Sequence, residues 1–287
     1  MKIQFILIQI WILLTITFVI VNGQETSSGV CSTNSNQDDD QCEIQHLKRE
    51  LELQSATLFD MSREIVKLKT KDCSYILNQG HSTSGVYEIY QRDIIRVYCD
   101  MITDGGGWTV IHNRQNGDVD FDRTWNDYKQ GFGDVSANHW LGNDYLFSMT
   151  SQRSYELRID LSDWDDIERH AVYSYFRVGS EYDNYRLVFD EYMANESNIG
   201  DSLAYHNGMA FTTKDRDNDP LESNCAVDYY SGGFWFRTCY RAGLTNYYGA
   251  SATGDYGKSF QDVMSWETWH GFQYSLKTAK MMIRPMH

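Results

Sequence analysis

The segment Asp104-Gly105-Gly106-Gly107-Trp108-Thr109-Val110 places three glycines immediately before a run of β-favouring residues. Such a run of glycines permits a tight turn, and Trp, Thr and Val are residues that strands prefer. Outward from this segment, residues 86–90, 94–98 and 155–159 alternate apolar and polar residues as half-buried strands do. Helical periods are short and local, and no repeat with a period of about 20 to 50 residues is present. The pattern predicts an α+β domain with an antiparallel sheet and long ordered loops.

Composition and charge restrict the class of protein. The chain has 287 residues, with 40 acidic against 25 basic side chains, a net charge of −15 and 41% hydrophobic residues. This is the composition of a globular protein, and the length suits one large domain with an appendage or two small domains. Because an acidic surface repels phosphate backbones and anionic lipids, the sequence predicts no nucleic-acid binding and no basic membrane-surface patch.

The first 23 residues have the pattern of a secretory signal peptide. Lys2 precedes an apolar run from Ile3 to Val21, and the small residue Gly23 precedes Gln24. We expect cleavage after Gly23, secretion to the extracellular space and no membrane insertion of the mature chain. The apolar run is also long enough for the alternative of an uncleaved signal anchor.

Six cysteines acquire a structural meaning in an oxidising compartment, because disulfides persist there. They are Cys31, Cys42, Cys73, Cys99, Cys225 and Cys239. Cys225 and Cys239 flank a loop rich in glycine and aromatic residues, and Cys73 and Cys99 flank another compact segment. Spacing alone leaves the pairing open. Cys31 and Cys42 lie in or beside a polar linker, residues 24–40, where interchain disulfides are favoured over an intrachain link.

A heptad pattern follows the linker over residues 41–71. Seven of the eight predicted seam positions are apolar, and charged side chains flank them, as in a coiled coil. The a positions are Ile44, Leu51, Leu58 and Ile65, and the d positions are Leu47, Gln54, Met61 and Leu68. A homo-oligomer is predicted, with a lone amphipathic helix docked on its own domain as the alternative. The seam does not specify the number of chains. Residues 72–287 then form the globular domain.

Catalytic and metal motifs built on short spacings are missing from the sequence. There is no H-E-x-x-H, no G-x-S-x-G and no phosphate-binding G-x-x-x-x-G-K, and the eight histidines are scattered. The absence of these motifs predicts that the protein is not an enzyme.

Carboxylates alternate between Asp215 and Asp219, in a run that continues to Ser223. Calcium prefers several oxygen ligands, and this spacing can supply them. An EF-hand is excluded, because Pro220 stands at the position of its glycine and Ala226 at the position of its last glutamate. The alternative is a solvated acidic turn in which Asp and Asn cap the backbone.

The segment between Cys225 and Cys239 carries five aromatic residues around Gly232 and Gly233. A rigid apolar pocket rimmed by hydroxyls and backbone amides would suit a sugar or an acetyl group. Core packing is the alternative, and it is favoured for Phe234, Trp235 and Phe236.

Taken together, these residues resemble a fibrinogen C-terminal domain, the module of fibrinogen chains, ficolins, tachylectins and angiopoietins. The resemblance runs from about Cys73 to His287 and is carried by Gly85-Val86-Tyr87, Val97-Tyr98-Cys99-Asp100, residues 104–110, Trp140-Leu141-Gly142, Asn224-Cys225-Ala226, Gly233-Phe234-Trp235-Phe236 and Tyr274-Ser275-Leu276-Lys277. It implies disulfides Cys73–Cys99 and Cys225–Cys239. It further implies a Ca²⁺ site formed by the Asp217 and Asp219 side chains and the Leu221 and Ser223 carbonyls, with Asp215 in support.

The acetyl-binding lectins of this family imply a ligand pocket beside the second cysteine of the short loop. By position its residues are Tyr230, Thr238, Cys239, Tyr240, Tyr256 and Phe272. The resemblance also implies a cis peptide bond before Cys239, which would aim the Cys239 N–H at an acetyl oxygen. Several departures from the family pattern affect the pocket: among them, the loop is one residue longer, so that Tyr229 can replace Tyr230, and Tyr240 stands where the lectins have histidine.

The resulting hypothesis is a secreted, calcium-dependent, oligomeric lectin that recognises acetylated glycans in innate immunity. The alternative is an angiopoietin-like or extracellular-matrix ligand that binds a cell-surface protein receptor, and a clotting-type subunit is less favoured because the chain has one short coil. Asn195-Glu196-Ser197 is a predicted N-glycosylation site, which would make the protein a glycoprotein.

Overall fold

The computed structural model describes residues 36–229, 231–249, 251–252 and 263–286. The chain divides into two compact units, residues 1–68 and residues 69–287. The predicted signal peptide and Cys31 lie outside the described residues, as does the Cys42 side chain. In the part of the chain that is described, no helix is both long and apolar enough to cross a bilayer.

The described part of the first unit forms a long helix, α1 (Asn36–Lys69), whose last residue already belongs to the second unit. It begins inside the segment predicted as a linker and ends just before the predicted end of the coiled coil. On the single chain, the predicted seam residues Ile44, Leu47, Leu51 and Leu58 are between 46% and 67% exposed. Apolar side chains of this size gain free energy when they are buried, which is what a partner helix would do. Association through this seam stays a prediction.

The second unit is built on a large antiparallel sheet. Its main strands are β1 (Gly85–Tyr90), β2 (Ile94–Asp100), β3 (Trp108–Arg114), β6 (Tyr155–Ser162), β7 (Glu168–Val178), β8 (Leu187–Val188) and β11 (Thr278–Pro285). They lie in the order β1-β2-β3-β11-β6-β7-β8. The short strand β5 (His139–Trp140) pairs with β3, and the short strand β4 (Phe132–Gly133) pairs with β5. The last strand of the chain, β11, thus lies between β3 and β6 and pairs with both. The fold class predicted from the sequence is confirmed.

The glycine run does what the sequence predicts. Gly106 has φ +79° in the turn before β3, and a Cβ atom there would lie 2.3 Å from the Met101 carbonyl oxygen. Only glycine fits such a position. Every residue of β3 is buried. Its Thr109 pairs with Cys99 of β2, and the Thr109 hydroxyl accepts a hydrogen bond from the Cys73 N–H at 3.1 Å.

Short helices and a second small sheet complete the unit. They are α2 (Cys73–Asn78), α3 (Trp125–Gln130), α4 (Asn143–Thr150), α5 (Cys225–Asp228), α6 (Glu267–His270), and the strand pair β9 (Ala242–Gly243) and β10 (Ser265–Trp266). Asp72 begins α2 with a fully buried carboxylate that accepts hydrogen bonds from the Tyr75 N–H at 3.0 Å, from Arg153 at 2.9 Å and from the Tyr155 hydroxyl at 2.9 Å.

Aromatic side chains pack between the sheet and the loops. Phe234, Trp235 and Phe236 are fully buried, so the core interpretation of these residues is confirmed. Trp235 contacts Trp140 and Phe211, with ring centroids 5.9 and 5.2 Å apart, and its indole N–H donates to the Tyr185 carbonyl at 2.7 Å. We call this cluster of Trp140, Phe211, Phe234, Trp235 and Phe236 the aromatic floor. It is closely packed and therefore a rigid base for the segment that ends at Cys239.

Candidate functional site

The acidic run folds into a loop that is anchored to the segment before it. Asn218 donates its side-chain amide to the Phe211 carbonyl at 2.7 Å, and Asn224 donates to the Thr213 carbonyl at 2.9 Å. The Thr212 backbone in turn exchanges hydrogen bonds with Phe234. The loop is therefore held against the aromatic floor by its two asparagines.

Asp217 and Asp219 lie together in this loop. Asp217 Oδ1 accepts from the Asp219 N–H at 3.1 Å, Asp219 Oδ1 accepts from the Leu221 N–H at 3.0 Å, and Asp219 Oδ2 accepts from the Cys225 N–H at 3.0 Å. Burial, followed by the nearby Asp217 charge, raises the pKa of Asp219 above its ordinary value. A carboxylate in this position gains from a nearby cation, which removes the repulsion.

The predicted calcium ligands are oxygen atoms, which suit a hard cation, but Asp215 does not lie where the prediction placed it. In the described residues, neither the Leu221 nor the Ser223 carbonyl accepts a protein hydrogen bond, so both oxygens are available. Asp215 is not beside them: its carboxylate accepts from the Trp125 N–H and from the Thr213 hydroxyl, both at 2.8 Å, and fixes the start of α3. The described part of the chain brings no three His, Cys, Asp or Glu side chains together as a metal site. A cation here would depend on two carboxylates plus backbone carbonyls and water.

Both predicted domain disulfides are present, Cys73–Cys99 and Cys225–Cys239. The second joins the acidic loop to the predicted ligand pocket. Asp219 accepts from the Cys225 N–H, Cys225 is bonded to Cys239, and Cys239 lines a cavity. The two predicted sites are therefore linked through one hydrogen bond and one disulfide bond.

The cavity has a volume of about 190 Å³ and is lined by Tyr229, Thr238, Cys239, Tyr240 and Phe272. The Tyr229 and Tyr240 rings lie 5.7 Å apart at 88°, and the Tyr240 and Phe272 rings lie 5.9 Å apart at 79°. Such edge-to-face pairs are favourable and give the cavity fixed walls. Tyr229 therefore forms one wall of the cavity, as the longer loop allowed. Tyr230 and Tyr256 lie outside the described residues.

The backbone at Cys239 corrects one expectation. The predicted cis bond between Thr238 and Cys239 is wrong, since the described backbone contains no cis peptide. Instead Cys239 has φ +60°, a left-handed conformation that is uncommon for a residue with a Cβ atom. Its carbonyl accepts from the Arg237 N–H at 3.0 Å. Its own N–H has no hydrogen-bond partner among the described residues.

Two residues that hold the backbone around Cys239, Tyr205 and His206, were not identified from the sequence. The Tyr205 hydroxyl is hydrogen-bonded to the Thr238 hydroxyl, and the Tyr205 ring lies 4.7 Å from the Arg241 guanidinium. His206 is fully buried, and its ring bonds the Trp235 carbonyl and the backbone N–H groups of Arg241 and Ala242. Their partners lie about thirty residues away in sequence, so no local pattern identifies them.

Two larger cavities, of about 690 and 540 Å³, lie elsewhere on the unit. The larger is lined by side chains that already form ion pairs, such as Lys280 with Asp100 and Asp160 at 3.1 and 3.5 Å. We place the candidate site at the smaller cavity, because the aromatic walls, the left-handed Cys239 and the acidic loop converge there.

Asn195 of the predicted glycosylation site is exposed. An attached glycan is compatible with that exposure and stays a prediction, as do the interchain disulfides of Cys31 and Cys42.

The sheet with its central last strand, the two disulfides and the acidic loop beside a short disulfide loop define a fibrinogen-like globular domain. Residues 69–286 match the family described as "Fibrinogen beta and gamma chains, C-terminal globular domain". The chain belongs to this family.

Relatives of several kinds share the domain. Fibrinogen C domain-containing protein 1 of Mus musculus is 43% identical over 224 residues, which are 75% of this chain and 47% of the relative. Ryncolin-4 of Cerberus rynchops is 40% identical over 219 residues, covering 76% of this chain and 61% of the relative. The solved fibrinogen-like globe domain of human ANGPTL6 is 38% identical, with a TM-score of 0.72, and covers 76% of this chain and 96% of that domain. The chain spans about half the length of the fibrinogen C domain-containing relatives.

Proposed function

We propose that the protein is a secreted, calcium-dependent lectin that binds acetylated glycans at the Cys239 cavity and acts as an oligomer in pattern recognition. The observation that carries the proposal is the convergence of Tyr229, Tyr240 and Phe272 around Cys239, next to the acidic loop. The two disulfides support an oxidising, extracellular location.

An acetamido group suits this cavity in size and chemistry. The cavity volume of about 190 Å³ is below the range typical of drug-sized ligands, so it would hold one small group of a larger glycan. Aromatic walls would contact the acetyl methyl group. The Cys239 N–H, which lacks a partner among the described residues, is a candidate donor to the acetyl oxygen. Thr238 adds an exposed residue at the rim.

Calcium would be held by the Asp217 and Asp219 carboxylates and the Leu221 and Ser223 carbonyls. Bound calcium supplies positive charge that neutralises the Asp217–Asp219 pair and orders the loop. Asp219 would then keep its acceptor contact with the Cys225 N–H, and the Cys225–Cys239 bridge would fix one wall of the cavity. We therefore expect chelation to loosen the cavity.

Multivalency would raise the affinity of such a small site. Joining several sites converts later binding events into intramolecular ones and increases avidity without new contacts. The exposed apolar seam of α1 supports an oligomer of this kind.

The test is retention of the purified mature protein on an N-acetylglucosamine resin in calcium, followed by elution with chelator or with free N-acetylglucosamine. We expect elution by both. Tyr240→Ala and Asp217→Asn should abolish retention, whereas the control Asp190→Asn, at an exposed carboxylate outside both sites, should not. Direct calcium binding is measured by titration calorimetry on the same proteins, which separates loss of the metal from loss of the pocket.

A cell-surface protein receptor is the second candidate partner. Tyr240 in place of the lectins' histidine favours it, and the chain is also similar to the globe domain of human ANGPTL6. No retention of folded, calcium-loaded protein on the acetylated resin would contradict the lectin proposal and favour this alternative.

A further inference from the structure

The segment Trp235–Ala242 contains three of the cavity-lining residues, Thr238, Cys239 and Tyr240. It is not part of the large sheet, and its Cys239 is in a left-handed conformation. A segment of this kind keeps its shape only if neighbouring groups hold it. The Cys225–Cys239 disulfide is one such restraint. The hydrogen bond between the Tyr205 and Thr238 hydroxyls is a second, and His206 provides three more.

His206 lies in a short 3₁₀ turn, Ala204–His206, directly beneath the segment. Its Nδ1 lies 2.7 Å from the Trp235 carbonyl oxygen, and its Nε2 accepts from the Arg241 N–H and from the Ala242 N–H, both at 3.1 Å. Because Nε2 accepts from two backbone N–H groups, the proton of the neutral ring must be on Nδ1, which donates to Trp235. One imidazole therefore joins the start of the segment to its end.

The ring cannot easily be replaced or moved. His206 is fully buried, and its ring packs edge to face against Phe234 at 5.2 Å. Burial, with Arg241 adding to it, lowers the pKa of His206 to about 4, so the ring is neutral under ordinary conditions. A proton on Nε2 would point at two donors and break both contacts.

We propose that His206 is the positioning residue of the Cys239 cavity, and that its Nε2 contacts with Arg241 and Ala242 set the position of the Tyr240 wall. Tyr240 immediately precedes these two residues, so His206 holds the backbone directly after the residue whose ring forms the wall. This inference rests on the proposed ligand pocket for its binding consequence, while its structural part stands on the hydrogen bonds alone.

Two isosteric substitutions separate the two sides of the ring. In His206→Asn the amide occupies the place of Nδ1, so only the Trp235 contact can be kept. In His206→Gln the amide reaches the place of Nε2, so the Arg241 and Ala242 contacts can be kept. If Nε2 positions the wall, the Gln variant should bind N-acetylglucosamine within about threefold of the wild type, and the Asn variant should bind at least about tenfold more weakly.

Hydrogen–deuterium exchange tests the same contacts without a ligand. The backbone N–H groups of Arg241 and Ala242 should exchange faster in the Asn variant than in the Gln variant or the wild type. The hydrogen bonds of His206 go to Trp235, Arg241 and Ala242 and not to residues 217–223, so any loss of calcium affinity in the Asn variant should be smaller than its loss of sugar affinity. If the wild type binds no acetylated ligand, the proposed function fails, and the exchange rates still decide the inference.

Equal exchange at Arg241 and Ala242 in the Asn and Gln variants would overturn the proposal. Unchanged sugar affinity in the Asn variant would do the same. If both variants prove too unstable to purify, the wild type is followed by nitrogen-15 shifts of His206 between pH 7 and pH 4, and a ring protonated on Nε2 at neutral pH would refute the assignment.

Discussion

Acidification should destabilise the globular unit through His206, and the structure gives the size of the effect. The perturbation is a change from pH 7.5 to pH 4 in wild type and His206→Gln. In the unfolded chain the histidine takes up a proton near its ordinary pKa of 6.5, whereas burial lowers the native pKa to about 4. Between these values the unfolded state binds a proton that the native state does not, so the free energy of unfolding falls as the pH falls.

The magnitude follows from the pKa difference. Each pH unit in this window changes the free energy by about 1.4 kcal/mol, so the contribution of His206 declines by about 3 kcal/mol by pH 4. Full stability should be present above pH 6.5. Burial also lowers the pKa values of His112 and His139, whereas it raises that of Asp219, so the wild-type curve alone does not isolate His206.

The assay is urea unfolding followed by tryptophan fluorescence, in chelator, at several pH values from 7.5 to 4. Glutamine does not titrate, so the stability of wild type minus that of His206→Gln should shrink by about 3 kcal/mol over this range. The stability difference at pH 7.5 reports packing and hydrogen bonding, and only the change of this difference with pH reports the titration of His206. Parallel curves for the two proteins would refute the neutral, buried His206 described above.

Three further predictions test the fold and the assembly. Asp72→Ala should lower the free energy of unfolding by about 3 kcal/mol in urea titrations, because it removes the cap of α2 and leaves the Tyr155 hydroxyl without its acceptor; a loss below about 1 kcal/mol would contradict this. Gly131→Ala should destabilise more than Gly208→Ala by differential scanning calorimetry, since both glycines have positive φ but only the Gly131 Cβ would meet a backbone atom, the Leu141 carbonyl oxygen at 2.3 Å. Leu51→Lys on the α1 seam should dissociate the oligomer in sedimentation experiments, whereas Leu53→Lys, at an equally exposed position off the seam, should leave it intact.

Local sequence signals were sufficient for part of the fold. The glycines before Trp108 and the alternation in β1, β2 and β6 are properties of neighbouring residues, and each predicted a strand that the structure contains. The position of β11 between β3 and β6 is different. That pairing joins residues far apart along the chain, and strand propensity carries no information about the partner.

The candidate site was predictable to the same extent. The second disulfide follows from the family pattern and is present, and Asp217 and Asp219 lie together in the acidic loop, whereas Asp215 accepts its hydrogen bonds from Trp125 and Thr213 instead. Tyr229, the alternative wall that the longer loop between Cys225 and Cys239 allowed, lines the cavity, and Tyr230 lies outside the described residues. The trans peptide before Cys239 and the support by His206 depend on contacts between distant segments, which a single sequence does not encode in its spacing.

Because the cavity is small, binding to a glycan would depend on oligomerisation through α1 as well as on the cavity itself. A volume of about 190 Å³ would hold an acetamido group and would leave the remainder of a sugar outside, so a single site would bind weakly. Avidity would then come from α1, and mutations in α1 and in the cavity should have different signatures. A seam substitution should reduce retention on a dense acetylated surface while leaving the affinity for free N-acetylglucosamine unchanged, since the cavity is intact. A cavity substitution such as Tyr240→Ala should reduce both.

A protein that binds a receptor through another face of the domain would show neither retention on the acetylated surface nor affinity for free N-acetylglucosamine. These two measurements therefore separate the candidate functions more directly than overall sequence similarity does.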